Sequence, residues 1–560
     1  MRSWFPVALV GLLIEPSSAQ TGNHPEWPRW CGKAYQPEYP SFDPGGQTVE
    51  PPDLPDGPGL YVQFRPRYSL YLDSEEQGEF VVSAQISKWH GVPWPGLDVP
   101  EAAPAVHFTI NLQSNNDVLV SANVTVGTDA KVLSFSLTGL EPRFEPYDVV
   151  LYGATTDGEP TVSATSELLY LPEKEGGSVT KLDNWKGGML FRNAQTDGKF
   201  EPLLPYGFYA SCDRFLCESD SISAVQEYAD LGLNGMVPLT TIFDSRPVFD
   251  LFDKLDLKFM YDLRSIFQNL TEVERQVSAV ADFDALYGYW GSDEPDGWQH
   301  PFEDPVRVRN LIRTIDPYHP VSVTLNCQNY YFGEYTRGAD FIMEDVYPIG
   351  VNGTFSKWGT PCNTTYGDCG CDNCQGNVQD VPSRLDGLAR YEGWLGLWPK
   401  TKAHNLQSFS GEGYWLREPT VDEEVAMNAL AFNHGAKSIV SWVWPTSDDL
   451  AAIHGEFATV VAREPVRDFI VLEEARRVEV EGWDVVDVAF WRKGSEMLLC
   501  VVNGGYVPIN ETVSIALPED VAPKSVKTNV WREASWELTG SEVRVGRMAE
   551  MSTYMAILEL

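Results

Sequence analysis

Between residues 203 and 444, short apolar runs alternate with amphipathic stretches, and this alternation constrains the fold more than any other feature of the chain. Strand-like runs fall at 203–209, 235–239, 258–263, 286–290, 320–325, 340–346, 402–407 and 438–444. Helical stretches separate most of them. One is capped by Asp220 and runs to 231, and others cover 247–255 and 271–281. Asp304-Pro305 reads as an N-cap followed by proline at the first helical position. Thr420 with Glu423 reads as a capping box before the last strand. Apolar runs linked through helices are strands of a parallel sheet covered on both faces. Eight of them predict a (β/α)8 barrel over 176–466. The fifth connection, between 326 and 337, shows no helical pattern.

The flanks have a different period. Residues 60–175 carry alternating, β-branched runs such as 80–84, 118–124 and 149–152, which predict an N-terminal β-sandwich. Alternation returns at 478–480, 485–490, 497–502 and 512–517, predicting a C-terminal β-sandwich over 467–560. Pro37, Pro40, Pro44, Pro51, Pro52, Pro55 and Pro58 crowd the stretch 20–59, which reads as an extended segment. The expected fold is therefore multidomain, an α/β TIM barrel flanked by two all-β sandwiches.

The first nineteen residues resemble a signal peptide. Arg2 precedes a short apolar run, and Ser17-Ser18-Ala19 offers a small-residue cleavage site. Secretion to the extracellular space is the expectation, with no membrane span. Sequons at Asn123, Asn269, Asn352, Asn363 and Asn510 fit that compartment. So do the nine cysteines. Cys212 and Cys217 are close enough to bridge. Cys362, Cys369, Cys371 and Cys374 read as two disulfides stapling a loop, with Cys500 as the buried free thiol. With 41 Lys and Arg against 80 Asp and Glu, the net charge is −39, which argues against nucleic-acid or anionic-membrane partners. A monomer acting on carbohydrate is expected.

In a barrel of this kind, chemistry sits at the carboxyl ends of the strands. Those ends supply Tyr209, Asp262, Trp290, Asn326, Tyr347, Gln407, Trp442 and Trp444 as candidate substrate-binding residues. They supply Asp293, Glu294 and Asp345 as candidate acids or bases, with Glu412 in the loop after strand seven. Aromatic faces stack on the C–H faces of sugars, and paired carboxylates cleave glycosidic bonds. No metal-ligand cluster, phosphate loop or nucleophile elbow accompanies them, so neither metal nor cofactor is expected.

The segment 287–296, ending Ser292-Asp293-Glu294-Pro295-Asp296, resembles the fourth-strand motif of retaining barrel glycosidases. Its Asp-Glu pair also resembles that of barrel N-acetylhexosaminidases. The run 339–348 and Gln407-Ser408-Phe409 resemble secreted, fungal-type glycoside-hydrolase-like barrel proteins. The resemblance spans about 200–450 and implies that Glu294 is the proton donor. It also implies a nucleophilic Glu at the end of strand seven, where Gln407 stands instead. Three routes follow: double displacement with Asp345 or Glu412, single displacement with Asp345 as base, or substrate assistance steered by Asp293. The competing reading is a non-catalytic carbohydrate-binding or cell-wall-associated barrel that has lost its nucleophile.

Overall fold

The computed structural model describes residues 24–560 apart from 25, 28, 35, 42–44, 95–104, 156–160 and 364. The signal-peptide reading lies outside the described residues. Eight parallel strands close a barrel: β1 (Tyr206–Ser211), β2 (Gly235–Leu239), β3 (Lys258–Asp262), β4 (Leu286–Asp293), β5 (Val321–Leu325), β6 (Phe341–Asp345), β7 (Thr401–Gln407) and β8 (Ala436–Trp444). Tyr206 pairs with Ile439, and so β1 and β8 seal the ring. The connecting helices include α1 (Ser221–Asp230), α2 (Ile242–Leu255), α3 (Leu270–Val280), α4 (Glu303–Ile315), α5 (Phe332–Thr336), α6 (Asp380–Leu395), α7 (Val421–Asn433) and α8 (Asp448–Val461).

Several boundaries differ from the sequence expectation. Glu201–Leu203 belongs to a separate three-stranded antiparallel sheet with Val179–Leu182 and Met189–Arg192. Pro205, with no N–H to offer a ladder, separates that sheet from β1. Leu182, Met189, Phe191 and Leu203 of this sheet form one apolar cluster with the strand residues Val237, Met260, Tyr287, Phe341 and Ala403. Helix α2 begins five residues before Pro247, because Thr241 caps it by accepting the Asp244 N–H at 3.3 Å. Phe302, not Asp304, occupies the N-cap position of α4. The fifth connection is the short α5, only five residues long, which explains its faint pattern. The capping box on α7 is present as read.

Before the barrel, two four-stranded antiparallel sheets enclose a core that includes Leu60, Phe64, Phe80, Phe108, Ile110 and Leu151. After it, a five-stranded and a three-stranded sheet enclose Val488, Phe490, Leu499, Val513, Val543 and Leu558. Disulfides join Cys31 to Cys327, Cys212 to Cys217, Cys362 to Cys369 and Cys371 to Cys374. Cys500 is a buried free thiol. Among the described residues, no helix is long and apolar enough to cross a membrane.

Candidate active site

Strand β4 runs three residues further than its apolar core and carries Asp293 at its end. Glu294 follows in the left-handed region at φ 42°, while its N–H still donates to the Thr324 carbonyl at 2.9 Å. A non-glycine residue held there costs about 1–2 kcal/mol, which the surrounding structure must offset. Asp296 supplies part of that support. Its buried carboxylate accepts the N–H groups of Gly297 at 2.9 Å, Asn326 at 3.2 Å and Cys327 at 2.8 Å. The turn after β4 is thereby tied to the end of β5. Burial pushes Asp296 up to about 7 despite those donors.

Asp345, at the end of β6, faces Glu294, and the two carboxyl groups are in hydrogen-bond contact. Asp345 Oδ1 also accepts from Asn405 Nδ2 at 2.7 Å and from the Tyr347 hydroxyl at 3.0 Å. Glu294 Oε1 accepts from Asn326 Nδ2 at 2.7 Å. Burial is the main force raising both carboxyls, but the remaining influences diverge. Asp293 and Asp345 push Glu294 further up by like charge, to well above the usual carboxylate range. The contacts of Asp345 with Asn405, Glu294 and Tyr347 favour its charged form and hold its rise down. Of the two, Glu294 is therefore pushed further toward its neutral form than Asp345. Asp293, half-buried, is raised by burial and then by Asp345.

The remaining candidates fall into three groups. Asn326 and Tyr347 touch the carboxyl pair directly. Around it, the Tyr209 and Trp290 rings pack at 4.6 Å, both 1% exposed, which makes Trp290 a core residue. Trp442 is half-buried and packs edge-on to Tyr209 at 5.3 Å. Arg264, paired with Asp262 at 3.2 Å, spreads over the rings of Trp290 at 5.2 Å and Trp442 at 5.5 Å. Burial lifts Asp262 to about 6 against the pull of Arg264.

The last group lies away from the pair. Trp444 packs among Phe208 at 5.2 Å, Phe215 at 6.0 Å and Tyr228 at 4.9 Å, beside α1. Glu412 is exposed in a turn closed by Gly411 and Trp415, and it makes no ion pair or hydrogen bond among the described residues. Gln407 is fully buried and works as a clamp. Its Oε1 accepts the Ile349 N–H at 2.7 Å, and its Nε2 donates to the carbonyls of Ile349 at 2.9 Å and Phe409 at 3.2 Å. These bonds leave the side chain committed to the backbone that follows β6 and β7. Ser408, His454 and Glu424 mimic a nucleophile group, at 3.1 Å and 3.3 Å, but all three are about 1% exposed and sealed from substrate.

Sequence reasoning missed Asn405 and Trp30. Asn405 sits two residues before Gln407 on β7, on the same strand face, so the period of two signals it. Trp30 donates its Nε1–H to Asn326 Oδ1 at 2.9 Å from a segment far upstream. No local pattern signals that contact.

No protein-family model matches the chain, and no curated protein does. Among solved structures, it is similar to an FMN-binding β-glucuronidase from Facaelibacterium prausnitzii L2-6, at 12% identity and a TM-score of 0.32, covering 90% of this chain and 70% of that one. It is similar to α-galactosidase I from Mortierella vinacea, at 12% identity and a TM-score of 0.42, covering 63% and 96%. A glycoside hydrolase family 30 subfamily 8 xylanase from Clostridium acetobutylicum matches at 10% identity and a TM-score of 0.38, covering 64% and 97%.

Proposed function

We propose that the protein is a secreted glycoside hydrolase that cleaves O-glycosidic bonds of a poly- or oligosaccharide. The observation that carries this reading is the Glu294–Asp345 pair at the carboxyl ends of β4 and β6, with Asn326 donating to one member and Asn405 and Tyr347 to the other. Glu294 keeps the proton and gives it to the leaving oxygen. Asp345, held ionised by Asn405 and Tyr347, supplies the second carboxylate. Asp345 thus takes the place that Gln407 does not fill.

The close approach of Asp345 to Glu294 favours the shorter of the two spacings such carboxyl pairs adopt, with the sugar parting the two groups as it enters. Inverting enzymes need ~6.5–9.5 Å to admit a water, whereas retaining ones need only ~5–5.5 Å. The reading is therefore double displacement. The sugar enters between the pair, Asp345 attacks the anomeric carbon, and Glu294 protonates the departing oxygen. Water, deprotonated by Glu294, then breaks the ester. Asp293 makes no hydrogen bond to a protein side chain among the described residues, which leaves its carboxylate for a sugar hydroxyl or amide. Trp442, the half-buried member of the aromatic set, is the stacking surface. The protein acts as a monomer, and its four disulfides suit an extracellular setting.

The test is reducing-sugar release from a glycan panel, with product anomers read by proton NMR. Retained configuration, with glycosyl azide formed in the Glu294→Ala variant on added azide, is the expected result. Inverted product would overturn the double displacement. No release from any glycan, with saturable glycan binding, would favour the non-catalytic barrel.

A further inference from the structure

The segment Arg29–Ala34 folds as a small hairpin and is stitched across three loops on the carboxyl-end face of the barrel. Cys31 is disulfide-bonded to Cys327, just past β5, and its N–H reaches the Gly297 carbonyl at 3.4 Å in the loop after β4. Lys33 is buried in an ion pair with Asp372, in the long loop after β6. The Ala34 carbonyl accepts the Gly367 N–H from that same loop at 3.1 Å. Gly297 lets the Trp30 ring lie flat against the turn, since a Cβ there would sit 2.4 Å from Trp30 Cζ2.

From this strap, we infer that Trp30 is a positioning residue that selects which oxygen of Glu294 carries the acid proton. An indole N–H can only donate. Its 2.9 Å bond therefore fixes Oδ1 of Asn326 on the strap side and turns Nδ2 toward Glu294, 2.7 Å from Oε1. The carbonyl oxygen of a protonated carboxyl is its better acceptor. A donor held on Oε1 thus leaves the proton on Oε2, from which it passes to the leaving group once the sugar separates the two carboxyls. Without Trp30, the Asn326 amide can flip and offer Oδ1 instead. Glu294 then donates its proton to Asn326, is stabilised in its neutral form, and points the proton away from the reacting bond. The Cys31–Cys327 disulfide holds donor and acceptor together, because each cysteine directly adjoins one of the two side chains.

This inference rests on the glycosidase reading for its consequence but not for its geometry, and the test separates the two. The first readout needs no substrate. Infrared difference spectra between each protein and its Glu294→Gln counterpart follow the Glu294 carboxyl through a pH titration. Trp30→Phe keeps a ring and removes only the donor, and it is expected to move the Glu294 midpoint upward. Gly297→Ala, which displaces the ring by another route, should move it the same way. Asn326→Leu should leave nothing for Trp30→Phe to add, so the double variant should titrate like Asn326→Leu alone. The second readout uses phenyl glycosides of graded leaving-group ability. Trp30→Phe should lower kcat about tenfold on the poorest leaving groups, with KM within about twofold. A midpoint unmoved in both Trp30→Phe and Gly297→Ala, with the fold retained, would overturn the inference. A shifted midpoint in a protein that hydrolyses nothing would uphold the positioning and sink the glycosidase reading alone.

Discussion

Replacing Glu294 by glutamine separates acid catalysis from every other contribution of the site. The amide oxygen can still accept from Asn326 Nδ2, now 2.7 Å from Glu294 Oε1. Its NH2 can donate to Asp345, in place of the hydrogen bond that Glu294 now makes with it. Ground-state contacts are therefore kept, and KM should stay within about twofold. What is lost is the transferable proton. General acid catalysis contributes roughly 10²–10⁴-fold. At about 1.36 kcal/mol per decade, the barrier rises by about 2.7–5.5 kcal/mol. That loss should appear only where the leaving group needs protonation. The assay is kcat/KM of wild type and Glu294→Gln over a series of aryl glycosides, from alkylphenyl to dinitrophenyl. The ratio should approach 10²–10⁴ for the poorest leaving groups and fall below about tenfold for dinitrophenolate. A loss that is uniform across the series would refute Glu294 as the acid, as would no loss at all.

Asp296 and Asp262 should pull stability down between pH ~4 and ~7, opposed by buried His404, whose value is pushed down to about 3 so that its contribution is complete above ~6.5 and lost as pH falls. Asp296 and Asp262 have folded values raised from 3.8 to about 7 and about 6, so the stability they contribute is complete below ~3.8 and lost as pH rises through those values. For Asp296 alone, the loss is on the order of 4 kcal/mol. Asp316, held near 2 against burial by His319 and Lys174, contributes in the opposite sense and is lost as pH falls below ~3.8. Calorimetric melting of wild type and Asp296→Asn from pH ~2.5 to ~8 isolates the Asp296 contribution, and the same pH slope in both proteins between pH ~4 and ~7 would contradict it. Gln407→Met should destabilise by about 2–4 kcal/mol, because it strands the buried Ile349 N–H and two carbonyls. Denaturant unfolding measures that cost, and an unchanged midpoint would count against the clamp. Trp442→Ala should raise KM about 2–10-fold with kcat preserved, the loss of one stacking contact. Glu412→Gln should leave turnover within about twofold, as expected of an exposed residue outside the pair.

The barrel was legible because its signals are local. Strand β2 matches its expected bounds to the residue, and the other barrel strands match within a few positions. The capping box of α7 lies within four consecutive residues, so it could be read without tertiary knowledge. The α5 connection was not legible, because five residues are too few for a 3.6-residue period to show. The same distinction divides the site. The Asp293–Glu294 pair and Asp345 could be found by reading strand ends alone. The role of Gln407 could not, because its partners Ile349 and Phe409 lie on different loops and only the closed barrel brings them together. Glu412 and Asp345 were alternatives on paper. The geometry places Asp345 at the end of a rigid strand against Glu294 and leaves Glu412 in solvent. The Cys31–Cys327 bond, 296 residues apart in sequence, has no signal shorter than the fold itself.

The most direct test of the central claim is the turnover of purified wild type, Glu294→Gln and Asp345→Asn on one glycan panel at matched folded concentration. Circular dichroism confirms the fold, and reducing ends are counted over short times. The account predicts release from at least one glycan by wild type, with both variants at least about 10²-fold slower on that same glycan. Wild-type release that survives in Asp345→Asn would contradict the account, as would the absence of release from every glycan.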